Sequence, residues 1–369
     1  MNVCHVTSVH PPLDVRIFHK ECRTLAHAGH DVTLLAQAEW REKVVDGIRI
    51  IGLPMITKHY QRPRVWRCIA QKVSKLKPEI VHFHDPELLL VIPFLRPAKL
   101  IYDCQEATPE TVLVRRWIPR LLRNPVSQLV AFLEPRLARW TDAIVVTEDG
   151  HVDRFRKGGK PVVLLYNYPL LSHLDFRRQS DGKTIIHVGV LSEARGSTTM
   201  IEAMNWVVRR VPAAKLLLVG PFDSPADELE VRQLIAAHNL ESAVEVVGWV
   251  PFTDLPKWLA KADVGLVPWQ TKEKLPPQII PTKMFEYMAS RLPVVASSRS
   301  TIRRFMDNLN CGLLVEPGDS QGLADAITYL LTHPGEARAM GARGRSAVEE
   351  AYNWETEGSK LVALYRQLA

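Results

Sequence analysis

Short apolar runs without polar alternation recur along the chain, and apolar residues return at helical spacing between them. In the first half the runs are NVCHVTS, DVTLLA, IVHFH, LIYDC and AIVVT; in the second they are TIIHVG, KLLLVG, VEVVG, VGLVP, PVVAS and CGLLV. Leucine-rich or β-branched strands of this kind have both faces covered, as in a parallel sheet flanked by helices. VRIFHKECRTLAHAGH carries a helical pattern and closes on Gly29, a C-terminal cap. Between the two series, LLYNYPLLSHLDFRRQSDGK loses periodicity and collects turn formers, which places a hinge near residues 167–182. The expected organisation is two parallel-sheet α/β domains, residues 1–168 and 169–352, with a last helix over 353–369 packing back on the first. In open sheets of this type ligands bind at the carboxyl ends of the strands, here expected in a cleft between the domains.

Composition narrows the setting. The chain has 369 residues, 46% of them apolar and 24% charged, which is ordinary for a globular protein. No run reaches the 18 or so apolar residues of a membrane span, and MNVCHVTS reads as a first buried strand rather than a signal peptide. Cys4, Cys22, Cys68, Cys104 and Cys311 are odd in number and scattered, as expected for reduced cytoplasmic thiols, and no pair has zinc-ligand spacing. A net charge of +7 admits nucleic acid, an anionic membrane surface or an anionic substrate as partners.

Candidate chemistry gathers at strand ends. IVHFHDPELL places His82 and His84 on one strand face, with His84 nearer the carboxyl end, and Asp85 as helix cap before a proline at the first helical position. No third metal ligand follows at a recognisable spacing, so no metal is expected. IIHVGVLSEARGSTTM runs from a strand through Gly189 and a short loop to Arg195 and Gly196 at a helix start, a setting suited to phosphate. Gly220 and Gly248 end two further strands, where absent side chains let backbone approach a flat ligand. PTKMFEYMASRLPVVAS opens a helix with Lys283 and Glu286; a carboxylate there suits the vicinal hydroxyls of a ribose, and free N–H groups suit phosphate.

These segments, with DVRIFHKECRTLAHAGHDVTLL, VHFHDPELL, YDCQEATPE and ADVGLVP, resemble the family 4 retaining glycosyltransferases of the GT-B fold, the group 1 enzymes of polysaccharide and lipopolysaccharide synthesis. The resemblance spans essentially the whole chain and implies two Rossmann-like domains facing a cleft, the first for acceptor and the second for a nucleotide diphospho-sugar donor. By that resemblance Glu286 is the second glutamate of a Glu-x7-Glu motif and binds the donor ribose. His84 lies beside the donor sugar, and Arg195 holds the pyrophosphate. Transfer with retention, no cofactor and no metal are further implications.

The chain departs from the pattern at three positions. Gln278 stands where the first glutamate of the motif falls, Val190 replaces an arginine, and Gln105 stands where close relatives show histidine. Gln278 still hydrogen-bonds a sugar hydroxyl but offers no negative charge to a developing oxocarbenium. Lys283 is expected to assist Arg195. In the first loop Asp14 is expected either to cap the next helix or to meet ligand, and Arg16, one turn in, to face phosphate or an acidic acceptor. KHYQRPRVWRCIAQKVSKLK and LVRRWIPRLLRNPVSQLVAFLEPRLARW interleave basic residues with tryptophans. They read either as solvated helix faces or as a patch for the cytosolic membrane surface and a lipid-linked acceptor. No nucleic-acid motif accompanies the charge. Two rival readings are a nucleotide-sugar 2-epimerase of the same architecture and a non-catalytic sugar-nucleotide-binding subunit.

Overall fold

The apolar runs become parallel strands in a computed structural model that describes residues 1–114, 118–270 and 280–369. Two units result: unit 1, Met1–Asn167 with Glu355–Ala369, and unit 2, Tyr168–Trp354. Gln278, Arg115, Arg116 and Trp117 lie outside the described residues.

Among the described residues, unit 1 has strands β1 (Asn2–Val6), β2 (Asp31–Gln37), β3 (Glu42–Val45), β4 (Ile48–Leu53), β5 (Ile80–Phe83), β6 (Lys99–Cys104), β7 (Ala143–Val146) and β8 (Val162–Leu164). Their order is β3-β4-β2-β1-β5-β6-β7-β8. All neighbours are parallel except β3 and β4, a hairpin turned by Asp46 and Gly47, both at positive φ. That hairpin is absent from the sequence reading, although Asp-Gly is the residue pair a type I′ turn favours. The strand order reverses direction between β1 and β5, so the loops after these two strands part and leave a crevice. The segment expected as one α-helix instead starts in the wider π winding over Val15–Cys22 and continues as α-helix over Arg23–His27. Its residues 16–22 are buried all round. Gly29 follows at φ +86°, the left-handed geometry of a helix stop.

Unit 2 has β9 (Thr184–Val188), β10 (Lys215–Val219), β11 (Val244–Gly248), β12 (Val264–Val267), β13 (Val294–Ser297) and β14 (Gly312–Val315), in the order β11-β10-β9-β12-β13-β14. This is a doubly wound sheet whose switch point lies between β9 and β12. The Thr282–Ala289 helix, which packs on β12 and leads into β13, is fixed by Tyr287. The Tyr287 hydroxyl accepts from the Val188 amide at 2.8 Å, and its ring fills the space a side chain on Gly265 would need. Lys283 lies one turn before Tyr287, on the same helix side, and is carried to the end of β9.

Candidate functional site

In unit 2, Gly189 follows β9 at φ +115°, and a Cβ there would stand 2.9 Å from Lys283 Nζ. The absent side chain therefore admits the ammonium group to the strand end. Gly220, at φ +145°, is needed for a different reason: a Cβ would meet the Gly189 carbonyl oxygen at 2.2 Å. It serves close packing of two strand ends, not the approach of a flat ligand expected for it. Gly248 donates no side-chain volume either, but nothing lies within 4 Å of its missing Cβ; its carbonyl accepts from the Gly220 amide.

Lys283 is buried and donates to His187 Nε2 at 3.1 Å. The other ring nitrogen, Nδ1, lies 3.1 Å from the Leu266 carbonyl and donates to it, so Nε2 is the acceptor and His187 is neutral. Burial, then Lys283 and Arg195, push His187 well below its usual range, in agreement. Burial first and the Arg195 charge second bring Lys283 down to about 7, against the opposing pull of Glu286. Burial also lowers Arg195, with Asp223 acting the other way. Among the described residues no carboxylate oxygen lies within 4 Å of Lys283 Nζ or the Arg195 guanidinium. The helix that carries Lys283 has no side-chain cap at its N-terminus. A buried lysine and a half-buried arginine near a helix start, with no carboxylate oxygen within 4 Å, form a setting that suits an anion. Glu286 is half-buried one turn beyond. His187 was missed in the sequence, although a histidine inside the otherwise aliphatic TIIHV is a detectable signal.

Unit 1 holds a denser polar cluster whose members bond mostly to one another, although His82 Nε2 has no hydrogen-bond partner among the described residues. His84 Nδ1 donates to Asp103 Oδ2 at 3.1 Å, and Gln105 Nε2 donates to the same oxygen at 3.2 Å. His84 Nε2 lies 3.0 Å from His5 Nδ1, His5 Nε2 3.3 Å from the Tyr365 hydroxyl, and that hydroxyl 2.9 Å from His82 Nδ1. One proton arrangement satisfies all of these contacts: His82 donates to Tyr365, Tyr365 to His5, His5 to His84 and His84 to Asp103. All three imidazoles are then neutral, and burial accordingly lowers both His5 and His82 well below the usual range. His84 was expected beside a donor sugar. Its side chain is buried, both ring nitrogens are bonded within unit 1, and it lines a cavity at the strand ends of that unit.

Arg16 likewise was expected to face ligand, and instead it is buried. Its Nε and Nη2 bond Asp103 at 3.1 and 3.2 Å, Nη1 donates to the Leu165 carbonyl at 3.2 Å, and Nε lies 3.0 Å from Glu21 Oε1. The reason is the cover that residues Leu165 to Asn167 lay over the π-wound helix: Lys20 also bonds there, to the Asn167 side chain at 2.6 Å. Burial opposes ionisation of Asp103, but Arg16 and then His84 hold it well below the usual carboxylate range. Burial and the Asp103 charge push Glu21 well above it. Glu21, His82, His84 and Asp103 are near enough for one metal ion, but the Arg16 guanidinium already supplies the positive charge between the two carboxylates.

Asp14 caps its helix, Oδ1 accepting from the Arg16 and Ile17 amides at 2.9 Å each. Asp85 makes no cap bond; it turns back to accept from Thr7 Oγ1 at 3.0 Å and Ser8 Oγ at 3.1 Å. His10, which the sequence reading passed over, stands between these acids, 3.6 Å from Asp14 and 3.7 Å from Asp85. Burial would lower it, but the Asp14 bond and the Asp85 charge raise it to about 9.

The two sheets, each doubly wound, define the class as GT-B. Sucrose-phosphate synthase from Thermosynechococcus elongatus superposes with a TM-score of 0.79 over 100% of this chain and 99% of its own, at 20% identity. WaaG, a glycosyltransferase involved in lipopolysaccharide biosynthesis, superposes with a TM-score of 0.71 over 98% and 99%, at 15% identity. The family profile "Glycosyl transferase 4-like domain" matches residues 15–167 and "Glycosyl transferases group 1" matches residues 182–333. The chain belongs to the group 1 glycosyltransferases of family 4 and is an enzyme of sugar transfer. A phosphatidyl-myo-inositol mannosyltransferase of Mycobacterium leprae is 26% identical over 95% of this chain and 89% of its own. The amylovoran biosynthesis glycosyltransferase AmsK of Erwinia amylovora is 28% identical over 50% of this chain, an alignment that spans only 45% of that relative.

Proposed function

We propose that the enzyme transfers a sugar, with retention at the anomeric carbon, from a nucleotide diphospho-sugar held by unit 2 to a glycan or lipid-linked acceptor held by unit 1. The observation that carries this reading is the pairing of buried Lys283 with half-buried Arg195 in the loop beyond β9, neither with a carboxylate oxygen within 4 Å among the described residues. A diphosphate supplies the missing negative charge, and Glu286 takes the ribose hydroxyls. Relatives support the donor class: an Anabaena HepE structure is described in complex with UDP-glucose, and a Mycobacterium tuberculosis relative as GDP-mannose-dependent. Lys283, Arg195 and the uncapped helix start stabilise the leaving diphosphate, so neither metal ion nor cofactor is required. Gln278, outside the described residues, is assigned a hydroxyl of the donor sugar.

Relatives named for phosphatidyl-myo-inositol mannosylation, colanic acid and amylovoran support an acceptor from cell-envelope glycan assembly. No helix among the described residues is long and apolar enough to cross a membrane. The Arg120–Ala138 helix does expose Leu121, Leu122, Leu129 and Phe132 beside Arg120 and Arg136, which suits peripheral binding at an anionic cytosolic surface. Titrating UDP, GDP and dTDP calorimetrically tests the donor reading. One of the three is expected to bind with micromolar affinity without added metal and with EDTA present. Failure of all three overturns it.

A further inference from the structure

Beside Lys283 stands a histidine for which packing alone gives no reason. β9 reads TIIHV, and an aliphatic side chain would fill the fully buried place of His187 without the cost of taking an imidazole out of water. The ring is held at both nitrogens. Nδ1 donates to the carbonyl of Leu266, on the neighbouring strand β12, at 3.1 Å. Nε2 is thereby left as an acceptor directed at Lys283 Nζ, also at 3.1 Å. The ammonium so held lies where a Cβ on Gly189 would come within 2.9 Å of it. An ammonium has three N–H donors; His187 engages one, which leaves two for an anion at the strand end.

The other charged and titratable groups around the lysine do different things. Arg195, beyond β9, repels the ammonium, and Glu286, on the same helix, attracts it. Asp223, beyond β10, acts on Arg195. Tyr287 gives its hydroxyl to the Val188 amide. Arg345, on the Pro334–Glu350 helix that packs on this one, donates to the Ala289 carbonyl at the opposite end of the lysine's helix. Among the described residues, the hydrogen-bond acceptor for Lys283 is therefore His187.

We propose that His187 is a positioning residue of the donor site, a neutral acceptor that fixes the Lys283 ammonium at the end of β9, ready for a diphosphate. The inference rests on the donor reading and adds to it the group that readies the lysine. A carboxylate in the same place would neutralise the ammonium and compete with phosphate for it. A neutral lone pair holds the cation and leaves its charge for the ligand.

The test sets His187→Phe and His187→Leu, which accept nothing, against His187→Gln, whose Oε1 keeps an acceptor, and against wild type. UDP, GDP and dTDP are titrated calorimetrically into the full chain at pH 6 and pH 8. Loss of the acceptor disfavours the ammonium form, so the Phe and Leu variants should bind nucleotide about tenfold more weakly than wild type at pH 8. At pH 6 protonation of the lysine makes up for the lost acceptor, and the ratio should shrink to about threefold or less. The nucleotide's own titration is common to all four proteins and cancels in the ratio. His187→Gln should stay within about threefold of wild type at both pH values. Two non-accepting side chains cover the case in which one of them misfolds. A second readout needs no nucleotide. In the apo protein His187→Phe should lower the melting temperature more at pH 6, where Lys283 is charged, than at pH 9, where it is neutral. That pH-dependent part should vanish in a Lys283→Met background. The proposal is overturned if affinity falls equally at both pH values, if glutamine does no better than phenylalanine, or if the pH-dependent melting loss persists without the lysine. Absence of nucleotide binding by wild type strikes the donor reading instead, and the melting comparison still decides whether His187 holds the ammonium.

Discussion

The two units use the same sheet architecture to opposite electrostatic ends. In unit 1 each buried charge at the strand ends is answered within the unit: Arg16 by Asp103, and the histidines by a one-way chain of hydrogen bonds ending on the same carboxylate. In unit 2 Lys283 rests on a neutral histidine and Arg195 has no carboxylate within 4 Å among the described residues. Compensated burial makes framework. Uncompensated burial leaves a demand that a ligand can meet, and that is why the richer cluster of histidines and acids is not where the donor is assigned.

Removing a partner in the first cluster should therefore hurt folding, and in the second should hurt only binding. Asp103→Asn leaves buried Arg16 only Glu21, whose ionisation burial opposes, so unit 1 should lose stability, by at most about 3–5 kcal/mol. Urea unfolding followed by fluorescence checks this. Arg16→Met with Asp103→Asn together should cost less than the single change, because the unpaired charge is gone.

Lys283→Met removes a buried cation rather than orphaning one, so the apo protein should be as stable as wild type or more so. Diphosphate binding should nevertheless fall tenfold or more, on the scale of one charge-assisted contact of about 1.5–3 kcal/mol. Calorimetry and thermal unfolding on the same samples separate the two effects. Loss of both together would merge the units' behaviours and break the contrast.

The titration of Lys283 sharpens the same point. A bound diphosphate favours the charged ammonium, so binding should take up protons at pH 7.5–8 and weaken as pH rises above about 7. Proton uptake, measured in buffers of different ionisation enthalpy, should vanish in Lys283→Met. For folding the sign is opposite to that of a paired lysine. The folded value of about 7 lies below the ordinary 10.5, so the unfolded chain binds more protons between them. This group's contribution to apo stability should rise with pH across that window.

The smallest effect per residue is expected on the outer surface of unit 1. Replacing Arg120, Arg123, Arg136 and Arg139 by glutamine should weaken sedimentation with anionic vesicles at low salt, by about 1 kcal/mol for each arginine near the surface. Nucleotide affinity should not change. A wild-type protein that ignores such vesicles even at low salt would remove the membrane from the account.

The parallel strands, their alternation with helices and the grouping of Gly189, Arg195 and Lys283 at strand ends were legible because each lies in a local pattern with a known chain direction. The interior of unit 1 was not. His5, His82 and Tyr365 meet across 283 and 360 residues of chain; the return of the last helix to the first domain was expected, but nothing in a local window says that Tyr365 reaches these histidines. Arg16 and Glu21 read as a polar helix face because solvent was assumed there, yet residues 165–167 cover that face. The β3–β4 hairpin was passed over because its first strand is largely exposed, with Glu42, Lys43 and Val44 outside. His10 was overlooked in a loop of prolines, where only the fold brings Asp85 to it.

Tyr365 also sets an order of events during synthesis. Unit 2 has its whole sequence once residue 354 leaves the ribosome, whereas unit 1 lacks residues 355–369 until after unit 2 has been made. The first 167 residues must wait, through translation of the entire second unit, for the hydroxyl that completes their histidine chain. Nascent chains arrested after residue 354 should therefore present a protease-resistant unit 2 beside an accessible unit 1, so that the part made first is finished last.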